Sequence, residues 1–152
     1  MSAAFTVAVQ TARFDPGAEM AQLAGLPDVG AQVCFVGQVR DFGDSQAVTA
    51  LELEHYPGMT EKSLLAILDQ ARARWPLAAA RVVHRVGYLP LGEAIVLVLT
   101  ASAHRGDAFA ACEFIMDYLK RDALFWKKEH TAAGSHWVEA KHSDQQAAQR
   151  WQ

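Results

Sequence analysis

The sequence predicts one α+β domain in which helices pack on a largely antiparallel sheet. Of its 152 residues, 51% are hydrophobic and 20% are charged, which suits a single globular domain with a full core. Strand-like and helix-like segments follow one another in the order β-α-β-β-α-β-β-α-β, and this order favours an α+β sandwich. No segment has the composition of a linker, so the domain is expected to span residues 1–152.

The strands are predicted from alternating apolar and polar residues or from short apolar runs. They cover 4–10, 31–40, 47–56, 80–89, 93–102 and 136–140. Residues 41–46 have turn chemistry, and "PLG" at 90–92 predicts a β-hairpin between the fourth and fifth strands. A polar tail is expected from about residue 142.

Three helices are predicted from apolar periodicity and capping residues. They cover 15–26 with Asp15 as the N-cap, 61–75 with Thr60 as the cap, and 104–121 with Asp107 as the N-cap. An apolar stripe then continues through "DYLKRDALFWKKEH" (117–130); its members are Cys112, Met116, Leu119, Ala123 and Trp126. On a continuous helix, Lys120 and Lys127 share one face and lie about 10 Å apart. The alternative is a break at Asp122, with a second helix that bends Lys127 toward Lys120.

Charge and motif content exclude several classes of protein. The net charge of −3 and the isoelectric point near 6.0 argue against a nucleic-acid-binding protein. The longest apolar run, 94–103, is about half a membrane span, and the N-terminus lacks signal-peptide features, so a soluble cytoplasmic protein is expected. Cys34 and Cys112 lie in no metal-binding or disulfide pattern, so no metal site is predicted.

Cations gather at the ends of regular elements, where functional sites are commonly built. Arg40 ends a strand, and His104-Arg105 lies at a strand-to-helix junction, where free backbone N–H groups also favour an anion. Each cluster alone is also explained by ordinary solvent exposure, since lysine stems can cover a core edge with the ammonium group in water. His84-Arg85 is interpreted as a solvent-facing pair in mid-strand.

Six segments in one order resemble a known family. They are "FVGQVRDF", "LELEHYPGMTEKSL", "HRVGYLPLGE", "ASAHRGDAF", "DYLKRDALFWKKE" and "HWVEAKHSDQQ", and they extend over about residues 4–151. Together they resemble the large, catalytic subunit of molybdopterin synthase. The resemblance implies an α/β hammerhead fold and a homodimer that binds two small ubiquitin-like subunits, giving a heterotetramer.

The resemblance also implies a sulfurtransferase of molybdenum cofactor biosynthesis. Two sulfurs pass from the C-terminal Gly-Gly thiocarboxylate of the small subunit to cyclic pyranopterin monophosphate (precursor Z), which becomes molybdopterin. This chemistry implies no cofactor on the chain, no nucleic acid and no membrane. An anionic substrate would account for local cations on an acidic chain, and a sulfur-carrying partner for the lack of a reactive cysteine.

Site residues are assigned from the resemblance motif by motif. Gln38, Val39 and Arg40 of "QVR" contact the substrate, and His104 and Arg105 lie on its phosphate side from the neighbouring subunit. Lys120 is the catalytic lysine beside the thiocarboxylate, and Lys127, Lys128 and Glu129 of "KKE" complete the site with Lys127 foremost. Lys141 stands where the family often has Arg; it is a candidate phosphate contact that keeps the charge but lacks the bidentate fork.

The residues leave several alternatives open. Lys120 could act as an acid or base, as a nucleophile, or as an electrostatic stabiliser of a tetrahedral intermediate. A non-catalytic docking module for a ubiquitin-like protein would keep an apolar groove without needing the cations together. A small phosphatase of the acylphosphatase kind would use a strand-end arginine for phosphate and would need no protein sulfur donor.

Overall fold

The computed structural model describes residues 4–41, 47–138 and 142–152, with only the backbone of His142. The strands are β1 (Phe5–Gln10), β2 (Ala31–Gln38), β3 (Val48–His55), β4 (Leu77–Arg85), β5 (Gly87–Pro90), β6 (Ala94–Ser102), β7 (Phe125–Thr131) and β8 (Gly134–Val138). The helices are α1 (Pro16–Ala21), α2 (Met59–Arg74), α3 (Arg105–Asp122) and α4 (His142–Gln149). The α+β prediction is confirmed.

The strands form two four-stranded sheets, in the orders β1-β4-β6-β2 and β5-β3-β7-β8. Among the described strands, β1 and β4 pair in parallel and the other pairs are antiparallel. The segment predicted as one strand, 80–89, is divided between the sheets. Gly87 adopts a φ of 90°, which a residue with a Cβ rarely takes, and the chain leaves β4 there to pair with β3 as β5.

Helices cover both faces of the first sheet. On one face, α2 and α3 pack with Leu64, Leu68, Phe114 and Ile115 in the main core. On the other face, residues around α1 contact the buried side chains of Val83, Leu97 and Leu99. The central strands β4 and β6 are therefore buried on both sides, which explains their nearly continuous apolar sequence.

The sequence left one continuous helix or two helices open for 117–130, and the structure has neither, because α3 ends at Asp122 and β7 begins at Phe125. Ala123 has extended dihedrals, and the hydroxyl of Thr60 donates a 2.8 Å hydrogen bond to the carbonyl of Leu124, which fixes the turn. The chain continues after this break as a strand rather than as the second helix of the alternative. Trp126 consequently leaves the predicted apolar stripe and is 49% exposed.

Two predicted helix caps also differ. The N-cap of α3 is His104 rather than Asp107, which lies inside the first turn. The N-cap of α2 is Gly58 rather than Thr60, and the side chain of Glu61 accepts a 2.8 Å hydrogen bond from the N–H of Gly58. The predicted N-cap of α1 is confirmed, since Asp15 accepts a hydrogen bond from a backbone N–H three residues later.

The segment expected as a polar tail contains α4, which docks onto α3. Ala148 is fully buried, and the indole N–H of Trp151 donates a 2.7 Å hydrogen bond to Asp117. The Trp151 ring packs edge-on against Trp75 and Phe114. This docking places the start of α4 over the region between the two sheets. None of the described helices is long and apolar enough to span a bilayer.

Candidate active site

A cleft lies between the C-terminal end of α3, the end of β2, and the inner face of the second sheet. Three neighbouring cavities of about 290, 370 and 170 Å³ make up this cleft, and Lys120 and Lys127 line all three. Its apolar walls include Leu51 and Leu53 of β3. The first turn of α4 contributes Asp144 to two of the cavities. The cleft therefore combines cations with a partly apolar lining.

Lys120 and Lys127 reach the cleft from different kinds of element. Lys120 is exposed in the last turn of α3, where the helix dipole favours a cation. Lys127 is half-buried on β7. The neighbouring Arg121 also lines one of the cavities, but its guanidinium is engaged by a 2.6 Å ion pair with Asp122 and by the ring of Tyr118. The two lysines are thus brought together by the turn between α3 and β7, not by helical periodicity.

Glu129 and Lys128 lie on opposite faces of β7, because successive side chains of a strand alternate. Glu129 is 5% exposed and lines the cleft with Lys127. Its Oε1 atom accepts no hydrogen bond from the described residues, and Nε2 of His136 lies 3.5 Å away. The ammonium group of Lys128 instead lies 4.6 Å from the ring centroid of Trp137 on the outer face. The structure does not bring Lys128 into the cleft.

The "QVR" motif divides in a similar way at the end of β2. Gln38 and Arg40 line the cleft, with the register of β2 shifting at Gly37/Gln38. Val39 is 3% exposed and packs in a core cluster with Leu51 and Leu89. Its backbone N–H donates to the carbonyl of Glu93, and its carbonyl accepts from Gly92. Val39 thus fixes the strand end from which Gln38 and Arg40 extend.

His104 and Arg105 are exposed at the N-terminal end of α3, far from Lys120. Fifteen residues separate Arg105 from Lys120, which corresponds to about 22 Å along a helix. Neither residue lines a cavity that contains Lys120. Within one copy of the chain they cannot join the cleft. Lys141 lies outside the described residues.

His84 is a cleft residue that the sequence interpretation missed, because the pair His84-Arg85 was taken to face solvent. Both side chains are buried, at 5% and 7% exposure. Arg85 bonds to the carbonyl of Thr11 and to Glu93 on one face of β4. His84 points to the other face and lines the cleft with Lys120. The sequence did contain a signal for this position. Ala80, Val82 and His84 alternate onto the same face of β4, and Ala80 and Val82 are core residues.

The surroundings of His84 keep its imidazole neutral. Burial lowers the pKa of His84 from 6.5 to about 4, and the nearby Lys120 and His55 act in the same direction. The hydrogen bond from Nδ1 to the carbonyl of Arg85, at 2.8 Å, opposes this shift only in part. The ring stacks on Phe125 with 3.9 Å between centroids. The floor of the cationic cleft is therefore an uncharged, firmly held ring.

The two cysteines lie in a groove beside α3 that adjoins the cleft but does not contain Lys120 or Lys127. Burial raises the pKa of the Cys112 thiol to about 12, and burial also raises that of Cys34. The same groove is lined by Phe35, Met116 and Phe109, whose side chain is 61% exposed. Neither thiol has the stabilised thiolate that a nucleophile needs. Among the described residues, no cluster could hold a metal ion.

Comparisons with known proteins agree on one family. A family model described as "MoaE protein" matches residues 9–122. The chain is 58% identical over 147 residues to the molybdopterin synthase catalytic subunit of Ralstonia nicotianae, covering 96% of this chain and 84% of the relative.

Solved structures support the same assignment. The MoaE protein of Burkholderia ambifaria superposes with a TM-score of 0.82 at 54% identity, covering 96% of this chain and 97% of that one. The molybdopterin synthase of Staphylococcus aureus gives a TM-score of 0.80 at 30% identity, covering 91% and 99%. With most of its length matched in sequence and in structure, the chain belongs to the MoaE family, the family of molybdopterin synthase catalytic subunits.

Proposed function

We propose that this chain is the catalytic subunit of a cytoplasmic molybdopterin synthase. In this proposal it transfers two sulfurs, one from each of two successive C-terminal thiocarboxylates of small ubiquitin-like subunits, to cyclic pyranopterin monophosphate. The observation that carries the proposal is the meeting of Arg40, Lys120 and Lys127 at one cleft, from β2's end, α3 and β7. A phosphorylated substrate explains why an acidic chain concentrates cations there.

The position of the thiols supports an external sulfur donor. In the described part of the chain, neither cysteine lines the three cavities that contain Lys120. A thiocarboxylate on the flexible C-terminus of a partner brings its own nucleophilic sulfur. A Gly-Gly terminus suits a narrow cleft, since it has no side chains to accommodate.

Lys120 and Lys127 take different roles in this proposal. Lys120, at the mouth formed by α3, lies beside the incoming thiocarboxylate. It transfers a proton there or stabilises the negative charge of the tetrahedral intermediate. Lys127, half-buried beside Glu129, holds the anionic part of the substrate. Gln38 and Arg40 complete the wall of the substrate site from the end of β2.

The distant His104 and Arg105 support a homodimer. They lie at the start of α3, where free N–H groups and a cation favour a phosphate. Because they cannot reach Lys120 in one chain, they join the cleft only if a second copy supplies them. The exposed Phe109 and the apolar groove beside α3 offer a surface for that copy. We expect a dimeric mass by light scattering at micromolar concentration; a monomeric mass would contradict this arrangement.

The proposed reaction is tested with purified components. The chain is mixed with the thiocarboxylated small subunit and precursor Z, and the dithiolene product is measured. The control uses the small subunit with an ordinary C-terminal carboxylate, which should give no product. Partner binding without any product would favour the docking module. Release of phosphate without the partner would favour the acylphosphatase-like enzyme.

A further inference from the structure

His84 has one ring nitrogen fixed by the fold. Its Nδ1 lies 2.8 Å from the carbonyl oxygen of Arg85. A carbonyl oxygen only accepts hydrogen bonds, so Nδ1 must carry the proton. A neutral imidazole has one N–H, and Nε2 is therefore left with a lone pair. The stack on Phe125, together with 5% exposure, prevents the ring from turning to exchange the two nitrogens.

The cavity around His84 is lined by more cationic side chains than carboxylates. Charged or titratable groups reach it from every element packed there; they are Lys120 and Arg121 of α3, Lys127 of β7, His55 of β3 and Asp144 of α4. Arg121 is already paired with Asp122. Among the charged side chains, Lys120 has the largest effect on the pKa of His84, which it lowers.

We propose that His84 is a positioning residue, whose Nε2 accepts a hydrogen bond from the ammonium group of Lys120 and fixes its location in the cleft. An exposed lysine has four rotatable side-chain bonds and would otherwise sample many positions. A neutral acceptor holds the ammonium group and leaves its positive charge in place, whereas a carboxylate would neutralise that charge. The consequence for catalysis rests on the proposed function, whereas the contact itself does not.

The contact is tested first, by nitrogen NMR of the histidine side chains in the full-length chain. The ring nitrogens of His84 are assigned with His84→Gln, and their shifts report which nitrogen carries the proton. We expect the Nδ1–H form, and a change in the Nε2 shift in the variant Lys120→Met. As a matched control, Lys128→Met on the outer face of β7 should leave the Nε2 shift unchanged. An Nε2–H form, or an Nε2 shift that ignores Lys120→Met, would overturn the proposal.

The functional consequence is tested by single-turnover sulfur transfer with saturating partner and precursor. His84→Phe keeps an aromatic ring to stack on Phe125 but has no acceptor. Its transfer rate should fall roughly tenfold, the scale of one hydrogen bond to a charged group, with precursor affinity unchanged. His84→Gln, which can place an amide oxygen near the position of Nε2, should recover part of the rate.

The outcomes separate this proposal from the proposed function. If the wild-type chain transfers no sulfur, the proposed function fails, and the NMR measurement still decides whether His84 holds Lys120. If the wild type is active and folded His84→Phe transfers at the wild-type rate, the positioning role is overturned. Should His84→Phe fail to fold, the His84→Gln rate and the wild-type NMR data decide instead. The proposal is also rejected if His84→Gln and His84→Phe lose the same rate and the Nε2 shift does not respond to Lys120→Met. His84 would then act only through its packing.

Discussion

The two faces of β7 differ sharply although they share one short segment. Lys127 and Glu129 face the cleft with Lys120, and Glu129 is almost fully buried. Lys128 faces outward and lies over the ring of Trp137, and His130 pairs with Glu52 at 3.0 Å. Adjacent lysines in one motif thus have unrelated surroundings.

The "KKE" motif is therefore not a single functional unit. On a helix, residues 127–129 would spread over an arc of about 200°, so they would not share one face there either. On a strand, the alternation sends Lys127 and Glu129 one way and Lys128 the other. The inner face is expected to control transfer and substrate binding, and the outer face to tolerate substitution.

The largest expected effect lies at Lys120 on the cleft side. Lys120→Ala should bind the partner and precursor Z, yet lose sulfur transfer by roughly 100-fold or more, the scale for a positioned acid or base. Lys120→Arg should fail almost as badly if proton transfer is the role, because a guanidinium does not give up its proton at working pH. Single-turnover transfer with saturating thiocarboxylated partner measures both variants.

Lys128→Ala is the matched control on the outer face of the sheet. It removes the same charge from a neighbouring element and should leave the transfer rate within about twofold, as expected for a surface site. Near-normal transfer by Lys120→Ala would mean that Lys120 is an ordinary solvent-exposed lysine with no part in the reaction. Equal losses in both variants would instead point to the overall charge of the chain, and would remove the distinction between the faces.

The sequence predicted the composition of this site better than its geometry. Lys120, Lys127, Gln38 and Arg40 were assigned by resemblance, and all four line the cleft. The apolar stripe wrongly suggested a helix beyond Asp122, because Ala123 and Trp126 have helical spacing although neither lies on a helix. The turn at 123–124 depends on a hydrogen bond from Thr60, 64 residues earlier in the chain, which no local pattern reveals.

His84 shows a different limit of sequence reasoning. Arg85 and His84 point to opposite faces of β4, and both are buried because α1 covers one face of the strand and α2 and α3 cover the other. A polar pair in such a strand has no solvent to face. The number of layers that cover a strand is a property of the whole fold, and the sequence pattern alone did not settle it.

The next largest effect concerns the stability of the cleft floor in acid. The pKa of His84 is about 4 in the folded chain and near 6.5 in the unfolded chain, so the unfolded chain binds more protons below pH 6.5. The free energy of unfolding therefore falls as the pH drops through this range. His84 alone should account for a loss of about 2 kcal/mol between pH 7 and pH 5.

Denaturant unfolding of the wild type and of His84→Phe at a series of pH values measures this loss. The difference in unfolding free energy between the two proteins should shift by about 2 kcal/mol in favour of the variant at pH 5. Parallel curves for the two proteins would mean that His84 titrates alike in the folded and unfolded chains. The outer face offers no comparable buried imidazole among the described residues.

A smaller effect distinguishes Lys127 from Lys128 directly. Lys127→Ala should weaken precursor affinity by roughly tenfold, the loss expected for one charge-assisted contact, and should also slow turnover. Lys128→Ala loses an exposed cation–π contact worth about 0.5–1 kcal/mol of stability and should leave precursor affinity unchanged. Calorimetry of precursor binding compares the two variants, and equal affinities would reject the assignment of Lys127 to the substrate.

The smallest effect on transfer is expected away from both faces of β7, in the groove that holds the cysteines. Cys112 lies about two turns of α3 before Lys120, and its thiol contacts the carbonyl of Val98 at 3.7 Å. Replacing Cys34 and Cys112 together by Ala should cost about 1–2 kcal/mol of unfolding free energy through lost packing. Transfer should stay within about twofold, since both thiols have raised pKa values and lie outside the cleft. A folded double variant that binds the partner and precursor but has lost turnover would contradict this expectation and would assign one of the two thiols a role in sulfur transfer.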